Sequence, residues 1–461
     1  MNTDWRSDLE VWLAPFLAAL GHKAQRAMCP AYIAGLIGPG DRKSVQPMAA
    51  RNGDIPYDRL HHFVSAGVWD SAPLEAALWR HADHLVGGER SWLIIDDTSL
   101  PKKGEHSVGV APQYASTLGK KANCQTLVSV TLASREVPLM LSLRLFLPDI
   151  WTADPARLKR AGVPLEHQGS RTKPEMAIEE IDRLCAAGVR FGCVLADAGY
   201  GLSAPFRQAL SARGLRWAVG IPRHQKVYST DVELVFPARK RGPSRMHPVP
   251  DQQSVPAHKI LETATWRRVS WRRGTKGGLA ARFAAMRIRV ADGPAQRIGG
   301  RTAQHMPGEE AWLIGEHRST GERKYYLSNL SADTSLRLLA AAIKARWVCE
   351  QAHQQLKEEL GLDHFEGRSW TGLHRHALMS MMAYAFLQSR RLTAVGRKKK
   401  ESPAHRHSPV CQQYDRPFLI ASCDYPPGNA RTVETFYSRP RNIFCQSSAT
   451  ACCQLSPECG T

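Results

Sequence analysis

Residues 91–97, SWLIIDD, are a short apolar run that ends on two adjacent carboxylates, and residues 191–199, FGCVLADAG, carry a second buried-looking run to Asp197. Between them QTLVSVTLAS (125–134) and VPLMLSLRLFL (137–147) read as strands separated by a polar turn at Arg135 and Glu136. KPEMAIEEIDRLCAAG (173–188) has the period of an amphipathic helix. Beyond Asp197 come a helix, APFRQALSARG (204–214), and a strand, RWAVGIP (216–222). The order is β β β α β α β, with carboxylates at the C-terminal ends of the first and fourth strands.

That order matches the topology of the ribonuclease H-like fold. Working outward, residues 8–36 and 56–86 show helical periodicity around a basic Gly/Pro turn, GPGDRKSVQP (38–47), which predicts an all-helical N-terminal domain over 1–88. The first part of an α/β core is expected over 89–221. Residues 222–330, with ETATWRRVSWRRGTKGGLAARFAAMRIRVADG (262–293) reading as antiparallel strands, form a β-rich insertion. The core resumes over 331–395.

The resumed part contains KARWVCEQAHQQLKEELGLDHFEGRSW (344–370). Stepping about 100° per residue along a single helix, Arg346, Glu350, His353 and Lys357 share one arc, and Val348, Ala352, Leu356 and Leu360 share another. One face packs, and its neighbour presents a row of charges. Such rows are common on solvated helices, where each ion pair contributes about 0.2–0.5 kcal/mol. Joined to Asp96 or Asp97 and to Asp197, Glu350 instead suggests a carboxylate cluster. Carboxylates gathered at adjacent strand ends are costly unless cations neutralise them, and hard oxygen ligands suit Mg²⁺. Two ions would serve in-line transfer at a phosphodiester. Taken singly, Asp197 or the 96–97 doublet reads equally well as a helix N-cap.

The charge balance agrees. The 461-residue chain has 62 Lys+Arg against 42 Asp+Glu, a formal charge of +20, with clusters at RRVSWRR, ARKRGPSR, GRKKK and HRH. A surplus of this kind attracts nucleic acid through phosphate contacts. No apolar run is long enough for a membrane span, and the N-terminus is acidic before it is apolar, unlike a signal peptide. A cytoplasmic, nucleoid-associated protein is expected. Of the 11 cysteines, five are scattered without ligand spacing and six crowd between Cys411 and Cys459. Residues 396–461 lack periodicity and zinc spacing, so a disordered tail, from about residue 401 the product of a shifted reading frame, is expected.

The stretches IIDDTSLPKKGEHSVGVAPQYASTLGKKANCQTLVSV (94–130), VLADAGYG (194–201), YYLSNL (325–330) and RWVCEQAHQQLKEELGLDHFEGRSWTGLHRH (346–376) resemble bacterial insertion-sequence transposases of the DDE type. The branch concerned carries a Tyr, Arg, Glu, Lys signature; Arg346, Glu350 and Lys357 match it, and Ile343 stands at the tyrosine position. The resemblance implies that Asp96 or Asp97, Asp197 and Glu350 hold two Mg²⁺ ions, for which Mn²⁺ can substitute, with Asp96 favoured of the doublet. It implies DNA contacts by Arg346 and Lys357, DNA ends and target as partners, and a homodimer assembled on DNA. Lys102, Lys103, Lys120 and Lys121 are open between phosphate contact and a solvated loop. His353 is open between a DNA contact and a surface histidine, and Trp266 and Trp271 between a base-stacking wedge and core. The implied function is cutting at inverted-repeat ends and strand transfer into a target. A nuclease without strand transfer, or an inactive end-binding regulator, are the alternatives.

Overall fold

The computed structural model describes residues 5–51, 55–115, 118–134, 137–236, 247–274, 277–297 and 303–401. The described residues open with five helices: α1 (Trp5–Leu17), α2 (Lys23–Ile37), α3 (Val45–Arg51), α4 (Tyr57–Ser65) and α5 (Ala72–Val86). Strands β1 (Gly88–Pro101), β2 (Ala111–Ala115), β3 (Lys120–Ser134) and β4 (Val137–Phe146) follow. Then come α6 (Asp149–Thr152), α7 (Pro155–Arg160), α8 (Lys173–Ala186), β5 (Phe191–Ala196), α9 (Ala198–Gly201), α10 (Ala204–Ala212) and β6 (Trp217–Ile221). The turn expected at Arg135 and Glu136 and the basic run at 238–245 lie outside the described residues, as does the tail from 402 onward.

β1 is buried from Leu93 to Asp96 on both faces, so it reads as an unbroken apolar run rather than an alternating one. It pairs antiparallel with β3 and parallel with β5, and β5 pairs parallel with β6. The sequence places the carboxylate doublet at the strand's end, but the strand runs past it. β1 continues through Thr98–Pro101 because β3 extends beside it, Pro101 facing Cys124. β2 and β4 both pair with β3, at opposite ends of that strand.

The stretch after β6 supplies β7 (Lys226–Tyr228), β8 (Leu234–Val235), β9 (Val249–Pro250), β10 (Val255–Pro256), α11 (Ala257–Ile260), β11 (Arg267–Gly274), β12 (Gly277–Gln296), β13 (Gln304–His317) and β14 (Arg323–Ser328). Most of these strands lengthen the core sheet. β14 runs antiparallel to β6 from Tyr325↔Ile221 to Ser328↔Ala218. The order is β10-β7-β12-β13-β14-β6-β5-β1-β3-β2, with β11 on β12 and β4 on β3.

The chain then forms α12 (Leu336–Ala345), α13 (Trp347–Glu358) and α14 (Trp370–Glu401). The single helix expected through 346–360 is α13, with Arg346 at its N-cap and a break there separating it from α12. There the Cys349 N–H bonds the Arg346 carbonyl three residues back rather than four, so the hydrogen-bond ladder changes step. Gly361 ends the segment at φ +64°, and a Cβ there would lie 2.4 Å from that of Lys43. α14 continues to Glu401, past Val395 where apolar periodicity stops, since Lys and Glu favour a helix without needing a buried face.

Side chains of β1 alternate between two cores. Ile94 joins Cys193, Leu195, Ala218, Ile343, Val348 and Cys349 beneath α12 and α13. Leu93 and Ile95 join the larger core, which also takes Ile181 and Leu184 of α8, Phe206 of α10, and residues of α1–α5 and α14. The opening helices and α14 are stitched together: Tyr32 Oη lies 2.8 Å from His376 Nδ1, and Arg375 donates to the carbonyls of Gly67 and Trp69 at 2.6 and 2.7 Å. No helix among the described residues is long and apolar enough to cross a membrane.

Candidate active site

Register brings the first two carboxylates together. β1 and β5 pair in parallel up to Ile95↔Ala196, and the next residues are Asp96 and Asp197. Parallel pairing stops there: Asp197 leaves the sheet, while Asp96 stays in β1 opposite Ser129 of β3, so the two meet at the carboxyl end of the parallel pairing, where open α/β sheets place their ligands. Asp197 also caps α9, its Oδ1 accepting from the N–H groups of Gly199 (2.9 Å) and Tyr200 (3.2 Å). The tight turn depends on two glycines, because a Cβ on Gly201 would stand 1.9 Å from the Gly220 carbonyl oxygen and one on Gly220 would stand 2.8 Å from the Ala198 nitrogen. Burial first, then the charge of Asp96, pushes the Asp197 carboxyl above the usual carboxylate range.

Asp96 faces α13. Its Oδ1 accepts from the Asp97 N–H at 2.8 Å, and its Oδ2 meets Arg346 Nη1 and, at 3.1 Å, Cys349 Sγ. The second arm of the same guanidinium, Arg346 Nη2, donates to Glu350 Oε1 at 2.7 Å. One cation thus forks between Asp96, with 13% of its side chain exposed, and Glu350, with 61% exposed. Burial opposes the Arg346 charge, but Asp96, Glu350 and Asp197 hold it protonated.

Asp97 points to the opposite face. Its Oδ2 pairs with Lys173 at the start of α8, and its Oδ1 accepts from Tyr200 Oη at 2.6 Å. Burial raises its carboxyl despite the Lys173 ammonium. α8 starts at this point because Thr172 and Glu175 form a reciprocal cap: the Glu175 N–H bonds Thr172 Oγ1 at 3.3 Å and the Thr172 N–H bonds Glu175 Oε2 at 2.7 Å. The sequence reading missed Lys173, Tyr200, Cys349 and Ser129. Ser129 left a signal as a hydroxyl inside the otherwise apolar run LVSV, and Tyr200 as part of DAGY.

His353 is neither a surface histidine nor exposed toward a groove; it is buried, with Nε2 2.8 Å from Ser129 Oγ, and burial holds its imidazole down at about 4. It shares an arc with Glu350, but β3 meets that end of the arc through Ser129. Lys357 is half-buried, which lowers its ammonium. Lys102 donates to the carbonyls of Asp363 (3.1 Å) and Phe365 (2.7 Å), whereas Lys103, Lys120 and Lys121 are exposed, the last two on β3 rather than in a loop. Trp266 and Trp271 are partly buried: Trp266 sits against Gly315 and His317, and Trp271 lies edge-on to Phe283 with the Lys344 ammonium over its ring.

Among the described residues no three His, Cys, Asp or Glu side chains converge into a ready metal-binding group. The oxygens of Asp96, Asp197 and Glu350 are nonetheless of the type a hard divalent cation takes, and the repulsion felt by Asp197 is what such a cation relieves.

Residues 15–278, over half of the chain, match the family described as DDE superfamily endonuclease. The chain belongs to this superfamily. Its members generally use divalent metal ions, and the matched span includes Asp96, Asp97 and Asp197 but ends before Glu350. A 190-residue stretch, 41% of the chain, is 30% identical to the probable transposase for insertion sequence element IS701 of Microchaete diplosiphon. That stretch spans 46% of the relative, under half of its length. A cryo-EM structure of the piggyBac transposase synaptic complex with hairpin DNA aligns over 88% of this chain and 81% of its own, at 10% identity and a TM-score of 0.35, too low to bear on fold or site.

Proposed function

We propose that this DDE-superfamily protein is a DNA transposase that cuts at the inverted-repeat ends of an insertion sequence and joins those ends to target DNA. The observation that carries the reading is the gathering of Asp96, Asp197 and Glu350 about Arg346, where parallel pairing of β1 and β5 stops. The order β4-β3-β1-β5-β6, antiparallel on one side of β1 and parallel on the other, supports a ribonuclease H-like core beneath it. The transposase name of the IS701 relative points the same way.

In this reading Asp96, Asp197 and Glu350 hold two Mg²⁺ ions, with Mn²⁺ an accepted substitute. The ions supply charge stabilisation for the attacking and leaving oxygens of in-line transfer. Arg346 leaves its fork for a phosphate, a move that frees the Asp96 and Glu350 oxygens. Lys357, Lys103, Lys120 and Lys121 contact the backbone, and Lys102 keeps its carbonyls. In cutting, water attacks phosphorus and the 3′ oxygen leaves as a hydroxyl; in joining, that 3′ hydroxyl gives up its proton and attacks a target phosphorus, whose own bond to the target 3′ oxygen breaks and releases a target 3′ hydroxyl. The protein acts as a homodimer on DNA, at the nucleoid.

The full chain incubated with its element's ends and Mg²⁺ is expected to cut them, and Asp197→Asn or Glu350→Gln to bind without cutting. Full cleavage by either variant overturns the assignment. Lys357→Ala is expected to lower the slope of log affinity against log salt by about 0.9. Joined products distinguish a transposase from a nuclease that only cuts.

A further inference from the structure

A buried chain of hydrogen bonds links the helix of Glu350 to the strand of Asp96. Ser129, fully buried and opposite Asp96 in the β1/β3 register, donates from Oγ to the Asp96 backbone carbonyl at 2.9 Å. His353 Nε2 lies 2.8 Å from the same Oγ. A hydroxyl has one proton to give. With that proton on the Asp96 carbonyl, the histidine must be the donor, so Nε2 carries its hydrogen and the direction runs from α13 to β3 to β1.

We infer that His353 and Ser129 are positioning residues that set the reach of Glu350 toward Asp96. The inference rests on the carboxylate roles proposed above. Val348, Ala352 and Leu356 already seat α13 in the cores. Apolar contact is non-directional, however, and would hold the helix as well after a small slide along the sheet. A buried donor and acceptor with one good geometry resist that slide, because an unmade bond leaves polar groups stranded away from water. His353 follows Glu350 by three residues, one turn along α13 on the same side, so a shift of one is carried to the other.

The other links between this stretch of α13 and β1 are the Arg346 fork and the Cys349 Sγ contact with Asp96 Oδ2 at 3.1 Å, and both end on carboxylate oxygens. In the proposed reaction Arg346 turns to a phosphate and the Asp96 oxygens to a cation, and both links are lost. The His353–Ser129–Asp96 chain touches no substrate and survives the move. It is then the directional tie that keeps the two carboxylates at working distance.

The test uses the full chain with His353→Leu, His353→Gln and Ser129→Ala. Hydrogen exchange at the α13 amides, measured without metal or DNA, is expected to quicken by about five- to a hundred-fold in His353→Leu. Ser129→Ala, the smaller change, is expected to quicken it in the same amides. In end cleavage the Leu variant should lose about ten-fold or more in kcat with KM for DNA unchanged, and Gln, whose side-chain N–H can take the place of Nε2–H, should recover most of it. Unchanged exchange in both Leu and Ala variants, or equal kcat for Leu and Gln, overturns the inference. Absence of cutting by the unaltered protein would remove the proposed function, while the exchange measurement still decides the anchor.

Discussion

Asp96 and Asp97 are chemically identical neighbours on β1, and the strand's alternation sends them to different environments. Asp96 meets a forked guanidinium and a thiol beneath α13, beside Asp197. Asp97 meets an ammonium and a phenol that belong to α8 and α9. Both carboxylates have both oxygens occupied, Asp96 by the Asp97 N–H and by Arg346 with Cys349, Asp97 by Lys173 and Tyr200, but only the Asp96 partners lie on α13 beside Glu350. In the function proposed above the two have different work: Asp96 belongs to the metal ligand set, and Asp97 holds α9, whose first turn Asp197 caps, against the strand.

The largest effect comes from exchanging the two faces' chemistry. Asp96→Asn is expected to reduce metal-dependent cutting to background, whereas Asp97→Asn should retain measurable cutting with lowered stability. Rate measurements on both purified variants check this, and background activity in Asp97→Asn with full activity in Asp96→Asn would invert the comparison.

Acid should sharpen it. Burial raises the carboxyls of Asp97 and Asp197, so these groups favour the folded state as pH falls. His374 and His376 act in the other direction. Burial first holds each down at about 4. His374 is bonded to the Trp370 carbonyl (2.9 Å) and the Leu145 N–H (3.4 Å), and His376 to Tyr32 Oη (2.8 Å) and the Gly361 carbonyl (3.0 Å). The unfolded chain takes protons near pH 6.5 that the folded chain refuses, so their stabilisation is complete above 6.5 and is lost as pH falls toward 4. Each contributes on the order of 3 kcal/mol over that window. Denaturant titrations at pH 7 and 4.5 should therefore show net acid destabilisation, with His376→Gln flattening the dependence; an acid-stabilised fold would show that the carboxyl face dominates.

The smallest effect is at Tyr200. Tyr200→Phe removes one bond to Asp97 and is expected to cost about 1 kcal/mol in a denaturant titration. A change of similar size in Ser129→Ala is expected on the opposite face, but only the latter should alter exchange in α13.

Parts of this arrangement were legible before any coordinates. The strands that flank Asp96 and Asp197 and the packing row Val348, Ala352 and Leu356 follow from periodicity, which is a local property of the chain. That β1 outruns its carboxylates was not legible, since Thr98–Pro101 owes its pairing to residues 124–127, supplied by a distant part of the sequence. Likewise His353 sits on the charged arc of an ideal helix, and only the approach of β3 turns that side inward.

The amino-acid sequence by itself determined the residue types that could do chemistry: a doublet of aspartates in an apolar run, a second aspartate before two glycines, and an Arg–Glu–Lys row. Hydrophobic period and turn chemistry act over a few residues, so these elements are written locally. Tertiary structure alone decided which aspartate of the doublet faces Asp197, that Arg346 forks between Asp96 and Glu350, and that His353 reaches Ser129. Those contacts join residues far apart in the chain, and their geometry is set by register and by helix placement on the sheet, which no short stretch of sequence encodes.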